Sequence, residues 1–216
     1  MEMQEEVRRI RCGSGNCYLV SNGEDAVLVD TARKKYRNKI LRACRPFRVR
    51  LIVLTHGHID HVQNAAFLSR ELHAPVALSE RDADLLRDNL AQPLEAETLS
   101  GRLVLAASAA LLRSMDFEPF VPDVCLADGD ALDEYGISAR IVFVPGHTDG
   151  SVAVDVAERH LFVGDALMNF LRPTVSLLYH DKSAMLESAE KISGLGSRKI
   201  YFGHGSPVQN REWTRR

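Results

Sequence analysis

Apolar residues in this chain gather into short runs, and many of these runs end on a polar side chain. Residues 7–12 and 16–20 are two such runs about a Gly13-Ser14-Gly15 turn, and AVLVD at 26–30 follows the turn Ser21-Asn22-Gly23. Aliphatic stretches separated by turn-forming clusters predict an antiparallel β opening. ARKKYRNKILRACR at 32–45 reads as a helix, and LIVLTHGHIDH at 51–61 as a buried strand that breaks into a polar loop. A second helix is expected from VQNAAFLSRELH, 62–73, with Asp60 as its N-cap, and a short strand from APVALS, 74–79.

The pattern changes at residue 80, and 80–122 reads as mainly helical. Leu99, Leu103, Ala107, Leu111 and Met115 recur at every fourth position, which makes one apolar helix stripe. Such a stripe packs into the core, meets a second copy in a homodimer, or forms a lid over a binding site. In the lid reading, the turn DFEPFVPD at 116–123 presents Phe117 and Phe120 to an apolar substrate group. Strand patterning returns with VCLADGDAL (124–132) and ISARIVFV (137–144), the latter followed by Pro145-Gly146-His147. SVAVDV (151–156) and HLFVGD (160–165) come next, then a helix at 183–192 and KIYFGHG (199–205), which delivers His204. Polar residues at successive strand ends predict a layered α/β structure that brings positions 56 to 204 into one cleft.

The chemistry concentrates at the end of the 51–61 run, where His56, His58, Asp60 and His61 lie within six residues. His56 and His58 are two apart and cannot share a helical face, so an extended or looped backbone must aim both rings one way. Gly57 lets that loop bend tightly. Imidazoles and a carboxylate after a buried strand are the donor set of a zinc-type site. Asp30 also ends an apolar strand, and it reads equally as a member of the same rim or as a helix cap. His73 and His160, at a helix end and a hairpin turn, read as structural, and His180 fits no pattern. Cys12, Cys17, Cys44 and Cys125 lack CxxC spacing and read as reduced thiols.

Composition narrows the partners. A hydrophobic share of 45% supports a substantial core, and one domain spanning 1–216, with the helical insertion at about 80–122, is expected. The net charge of -2 gives no global attraction to nucleic acid or anionic lipid. Between Arg33 and Arg50 there are nine basic residues and no acidic one, a run that reads as a solvated helix face because no nucleic-acid motif accompanies it. MEMQEEVRRI lacks the basic start and apolar core of a signal peptide, and no run reaches membrane-span length. A soluble cytoplasmic protein with a small-molecule partner, no nucleic acid and no membrane is the expectation.

Taken in order, T-H-G-H-I-D-H at 55–61, P-G-H-T-D-G-S at 145–151, G-D at 164–165 and G-H-G at 203–205 resemble the metallo-β-lactamase superfamily of hydrolases. The resemblance covers nearly the whole chain and is weakest across 80–122. It implies an α/β (α+β) fold: a four-layer αβ/βα sandwich of two mixed β-sheets with external helices and metals at one sheet edge. It also implies that His56, His58 and His147 hold a first metal, that Asp60, His61 and His204 hold a second, and that Asp165 bridges them. Two Zn²⁺ per chain are implied, with Fe or Mn as alternative occupants, together with a bridging hydroxide that cleaves a small carbonyl ester, thioester or lactone. Asp60 and Asp165 are then the catalytic carboxylates. Thr55, Thr148 and Ser151 are candidates for orienting the imidazoles, with Asp30 a further one, and Tyr179 for donating to a substrate carbonyl. Glutathione thioesterases of the superfamily add a helical C-terminal domain, whereas this chain stops at Arg216, which favours lactones or small esters. The alternatives are a glutathione thioesterase-like hydrolase and a persulfide dioxygenase of the same fold that holds one iron through His56, His147 and Asp165.

Overall fold

The computed structural model describes residues 5–113 and 116–214. The chain opens with an antiparallel meander, β1 (Glu6–Cys12), β2 (Gly15–Ser21) and β3 (Asp25–Val29). Helix α1 (Arg37–Cys44) leads to β4 (Arg48–Val53), which pairs parallel to β3. The short α2 (Ile59–Val62) and α3 (Ala65–Leu72) precede β5 (Val76–Leu78). After α4 (Leu99–Leu112), β6 (Val124–Cys125) completes a six-stranded sheet in the order β1-β2-β3-β4-β5-β6.

The second sheet follows with β7 (Ala139–Phe143), β8 (Val152–Val156) and β9 (His160–Gly164). A small pair, β10 (Leu167–Met168) and β11 (Thr174–Val175), stands apart. Helix α5 (Lys182–Gly194) crosses over to β12 (Lys199–Phe202), parallel to β9, and β13 (Val208–Gln209) closes the five-stranded order β13-β12-β9-β8-β7.

Alternate residues on each strand explain the layering. Tyr18, Val27, Leu51 and Val53 of the first sheet pack with Val154, Phe162 and Tyr201 of the second in one apolar cluster. Their neighbours Leu19, Leu28 and Ile52 belong to a different cluster, shared with Ile40 and Cys44 of α1 and Leu68 of α3. On the far side, Leu161, Val163 and Ile200 pack with Ala189 and Ile192 of α5. Helix, sheet, sheet, helix is therefore the order of layers, the sandwich that the sequence resemblance implied. Strands buried on both faces read as continuous apolar runs, and period-two alternation decides which side chain enters which layer.

Three expectations need correction. First, residues 80–122 are not mainly helical: among the described residues, besides α4 only a 3₁₀ turn at Glu80–Asp82 is helical, and 83–98 run as turns and irregular chain with one bridge from Glu95 to Tyr179. Asp84 and Asp88 accept bonds from the backbone N–H groups of Leu85 and Leu90, local bonds that compete with a helix. Second, the stripe at Leu99 and Leu103 faces outward, 76% and 65% exposed, while Gly101 and Leu112 are buried and Met115 lies outside the described residues. LSGRLVLAASAALL is apolar on most sides, so four-residue spacing selects no face. Third, Asp60 does not cap a helix: it lies inside α2, His58 precedes α2, and Asn64 precedes α3. No helix among the described residues is long and apolar enough to cross a membrane.

Candidate metal centre

Strand ends and the turns after them carry the chemistry. β4 runs into Thr55 and the His56–His58 loop, β7 into the turn with His147, β9 into Asp165, and β12 into His204. The fold gathers all seven predicted metal positions. His56, His58 and His147 form one group whose donor atoms lie within 4.8 Å of one another, and Asp60, His61 and His204 form a second. Asp165 joins them: its Oδ2 is 3.9 Å from His147 Nε2 and 3.4 Å from His204 Nε2, and its Oδ1 is 3.6 Å from His61 Nε2.

Hydrogen bonds on the outer side of the rings fix which nitrogens face inward. His61 Nδ1 donates to Asp30 Oδ2 at 2.8 Å, His147 Nδ1 to the Leu178 carbonyl at 2.8 Å, and His204 Nδ1 to the Ser14 carbonyl at 3.0 Å. His56 Nδ1 lies 3.2 Å from Thr55 Oγ1, whose hydroxyl donates to Asp30. Each of these rings turns Nε2 towards the cluster. His58 is reversed, its Nδ1 lying 3.0 Å from His147 Nε2. Nε2 of His56 and His61 and Oδ1 of Asp165 are buried without a hydrogen-bond partner. Buried polar atoms rarely stay unpaired, and convergent nitrogens and carboxylate oxygens with orphaned lone pairs are the donor set that a divalent cation satisfies. The residues present fit a metal.

Electrostatics divides the cluster. Burial, reinforced by the neighbouring imidazoles, depresses the pKa of His56, and burial with His147 lowers that of His58 to about 3. His147 is also lowered by burial, against the pull of Asp165. Burial opposes the His61 charge too, but Asp30 and Asp165 outweigh it and raise its pKa to about 9. His204 goes the same way, burial being overcome by Asp165 and Asp60. Burial works against both carboxylates, yet His204 and His61 hold Asp60 and Asp165 well below the usual carboxylate range.

Among the predicted supporting residues, Asp30 is buried beneath the cluster and accepts from Thr55 N, Thr55 Oγ1 and His61. It is a member of the rim, not a helix cap. Thr55 touches His56 as expected. Among the described residues, Thr148 and Ser151 make no side-chain hydrogen bond to an imidazole; they bond each other, and Thr148 Oγ1 donates to Asp82 at 2.8 Å. Asp82, not singled out from the sequence, is fully buried and also accepts from Gly57 N and Gly150 N. It thereby ties the loop bearing His56 and His58 to the turn bearing His147. Asn89 adds a second brace, accepting from Ile59 N and donating to the Gly57 carbonyl. No motif marks either residue, because both lie in the irregular 80–98 stretch.

A cleft of about 300 Å³ opens on the cluster. His58, Asp60, His147, Asp165 and His204 line one side, and Val104, Ala107, Leu111 and Leu112 of α4 line the other. The wall over the site is therefore α4. Phe120 packs on the outer core, Phe117 lies against Phe120, and neither lines the cleft. Phe170 does, stacked on His204 with ring centroids 4.9 Å apart. Tyr179 lines a separate hollow with Lys182 and Trp213 and is not among the residues lining the cleft.

A two-sheet sandwich with a His/Asp cluster at its strand ends defines a class of metal-dependent, hydrolase-type enzymes. This chain belongs to the Metallo-beta-lactamase superfamily, whose sequence profile matches residues 10–204. It is 33% identical over 168 residues to an uncharacterized protein of Mycobacterium tuberculosis (strain ATCC 25618 / H37Rv), covering 70% of this chain and 67% of the relative. Its similarity to the atrochrysone carboxyl ACP thioesterase of Aspergillus fumigatus is 25% over 203 residues, 90% of this chain, which spans about half (52%) of that enzyme. Among solved structures, the B3 metallo-beta-lactamase BLEG-1 superposes with a TM-score of 0.75 at 22% identity, over 94% of both chains. TTHA1623, solved in a di-iron-bound form, superposes with a TM-score of 0.69 at 25% identity, over 96% of this chain and 98% of that one.

Proposed function

We propose that this chain is a dinuclear metal-dependent hydrolase acting on a small carboxylic ester, thioester or lactone. The observation that carries the reading is Asp165, whose two oxygens face His61 on one side and His147 and His204 on the other. His56, His58 and His147 would hold one cation, Asp60, His61 and His204 the other, and Asp165 would serve both. Bound divalent cations supply a water of lowered pKa and Lewis-acid polarisation of an acyl oxygen.

The chain's own groups do the rest. In hydrolysis the water oxygen adds to the acyl carbon, the bond to the leaving oxygen or sulfur breaks, and one water proton ends on that leaving atom. Asp60 lines the cleft and stays ionised, so its carboxylate would accept a hydrogen bond from the attacking water and orient it. The apolar face of α4 takes the hydrocarbon part of the substrate and excludes bulk water. A thioesterase among the relatives supports acyl chemistry, and a di-iron relative supports iron as an alternative to zinc.

Elemental analysis of purified protein, joined to a screen of phenyl esters, thioesters and lactones, tests the reading. About two metals per chain are expected, with Asp165→Asn abolishing turnover while the circular dichroism spectrum is kept. One iron per chain and oxygen consumption with a persulfide would instead establish the dioxygenase. Full metal occupancy with no hydrolysis would leave a binding protein.

A further inference from the structure

Arg33 also lines the cleft. It begins the basic run at 33–50, yet it is placed differently from its neighbours there. Lys34 pairs with Asp116, Arg37 lies over the Phe67 ring, Lys39 donates to the Arg11 carbonyl, and Arg48 pairs with Asp25. Arg33 is half-buried and shares the cleft lining with Ser14, Asp60 and His204, and among the described residues no carboxylate pairs with its guanidinium.

The backbone that puts it there is strained and held. Asp30 and Ala32 have φ of 61° and 51°, left-handed values that cost a non-glycine residue about 1 kcal/mol or more and persist where surrounding bonds over-determine them. Here they do. The Asn64 side-chain amide donates to the carbonyls of Thr31, Ala32 and Arg33 at 2.7, 3.0 and 2.9 Å. Thr31 donates through both N and Oγ1 to the His61 carbonyl. Gln63 Oε1 accepts from Lys34 N at 2.8 Å. The loop is thus fastened to the turn that carries Asp60 and His61, and it sets Arg33 in the lining of a cleft whose α4 wall is largely apolar.

We propose that Arg33 anchors the substrate: its guanidinium takes an anionic group, carboxylate or phosphate, of an acyl compound whose hydrocarbon part lies along α4. The proposal deepens the hydrolase reading and rests on it for the acyl bond. Arg presents N–H groups in a planar fork that matches either anion, and an unpaired guanidinium in a cleft gains more from such a ligand than one already paired on the surface. Arg33 is then a specificity residue and takes no part in bond cleavage.

Three matched esters separate the possibilities: phenyl butyrate, phenyl 4-carboxybutyrate and phenyl 4-(phosphonooxy)butyrate, with wild type, Arg33→Ala and Arg33→Lys, all metal-loaded. Wild type is expected to prefer one charged ester over the neutral one by about tenfold or more in kcat/KM. The preferred ester identifies the anion. In Arg33→Ala that ratio should fall to near one through KM, and Arg33→Lys should restore part of it. Calorimetry with the unreactive anilides of the same three acids gives a readout without turnover. If no ester is cleaved but the charged anilide binds more tightly and loses that advantage in Arg33→Ala, the hydrolase reading fails and the anchor stands. A charged-to-neutral ratio near one in wild type, or one unchanged in Arg33→Ala, overturns the anchor.

Discussion

His61 donates its Nδ1 proton to Asp30 Oδ2 across 2.8 Å, and both side chains are almost completely buried. The same carboxylate takes the N–H and the hydroxyl of Thr55, which in turn meets His56. One acid therefore orients a ring from each of the two candidate metal groups. Partners of this kind typically contribute 10- to 100-fold in metal affinity. Asp30→Asn is expected to weaken both metals by about that factor, as read by competition with a chromophoric chelator. Unchanged affinity at both sites would show that the rings need no such support.

The two metal groups should differ in the protons they release. His56, His58 and His147 are held neutral near pH 7, chiefly by burial. His61, raised to about 9, and His204, raised well above its ordinary value, keep their protons there despite burial, because Asp30 and then Asp165 hold the charge on His61 and Asp165 with Asp60 holds it on His204. A raised pKa favours the protonated form, so acid competes with the cation, and affinity at the second group rises with pH through neutrality, the His61 contribution levelling off above about 9. Each displaced proton contributes up to about tenfold per pH unit. Calorimetric titration in buffers of different ionisation enthalpy counts these protons, and equal release at both steps would contradict the assignment.

Gly203 leaves no room for a side chain. A Cβ there would collide with Asp165 Oδ1 and come within 2.7 Å of His61 Cε1. Gly203→Ala should therefore displace the carboxylate between the two groups and lower metal content below wild type while the sheets remain folded. Elemental analysis beside circular dichroism checks this, and full metal occupancy in the variant would count against the assigned position of Asp165.

Removing the Asp82 carboxylate strands Gly57 N and Gly150 N in the interior and leaves the Thr148 hydroxyl with Ser151 alone. Asp82→Ala is expected to cost more than about 2 kcal/mol, seen as a lower midpoint in urea. It should also weaken the His56–His58–His147 site more than the other, because it unties the loops that carry those rings. Equal weakening of both sites would assign Asp82 a general role in stability instead.

The sequence by itself determined the alternation of strands, the residues that end them and, through four ordered motifs, the membership of the cluster. Donor type and order are local properties, and His56, His58, Asp60 and His61 stand together in the chain. Which way the donors face was decided by tertiary contacts. The inward nitrogen of His147 depends on the Leu178 carbonyl and that of His204 on the Ser14 carbonyl, and backbone acceptors so distant leave no mark in composition or spacing. The braces Asp82 and Asn89 were hidden for the same reason, since a buried polar residue in a turn resembles an exposed one until its partners are known. The face of α4 that covers the cleft could not be chosen from a helix apolar on most sides. Only the packed structure, by exposing Leu99 and Leu103 and turning Val104 and Leu111 to the histidines, made that choice.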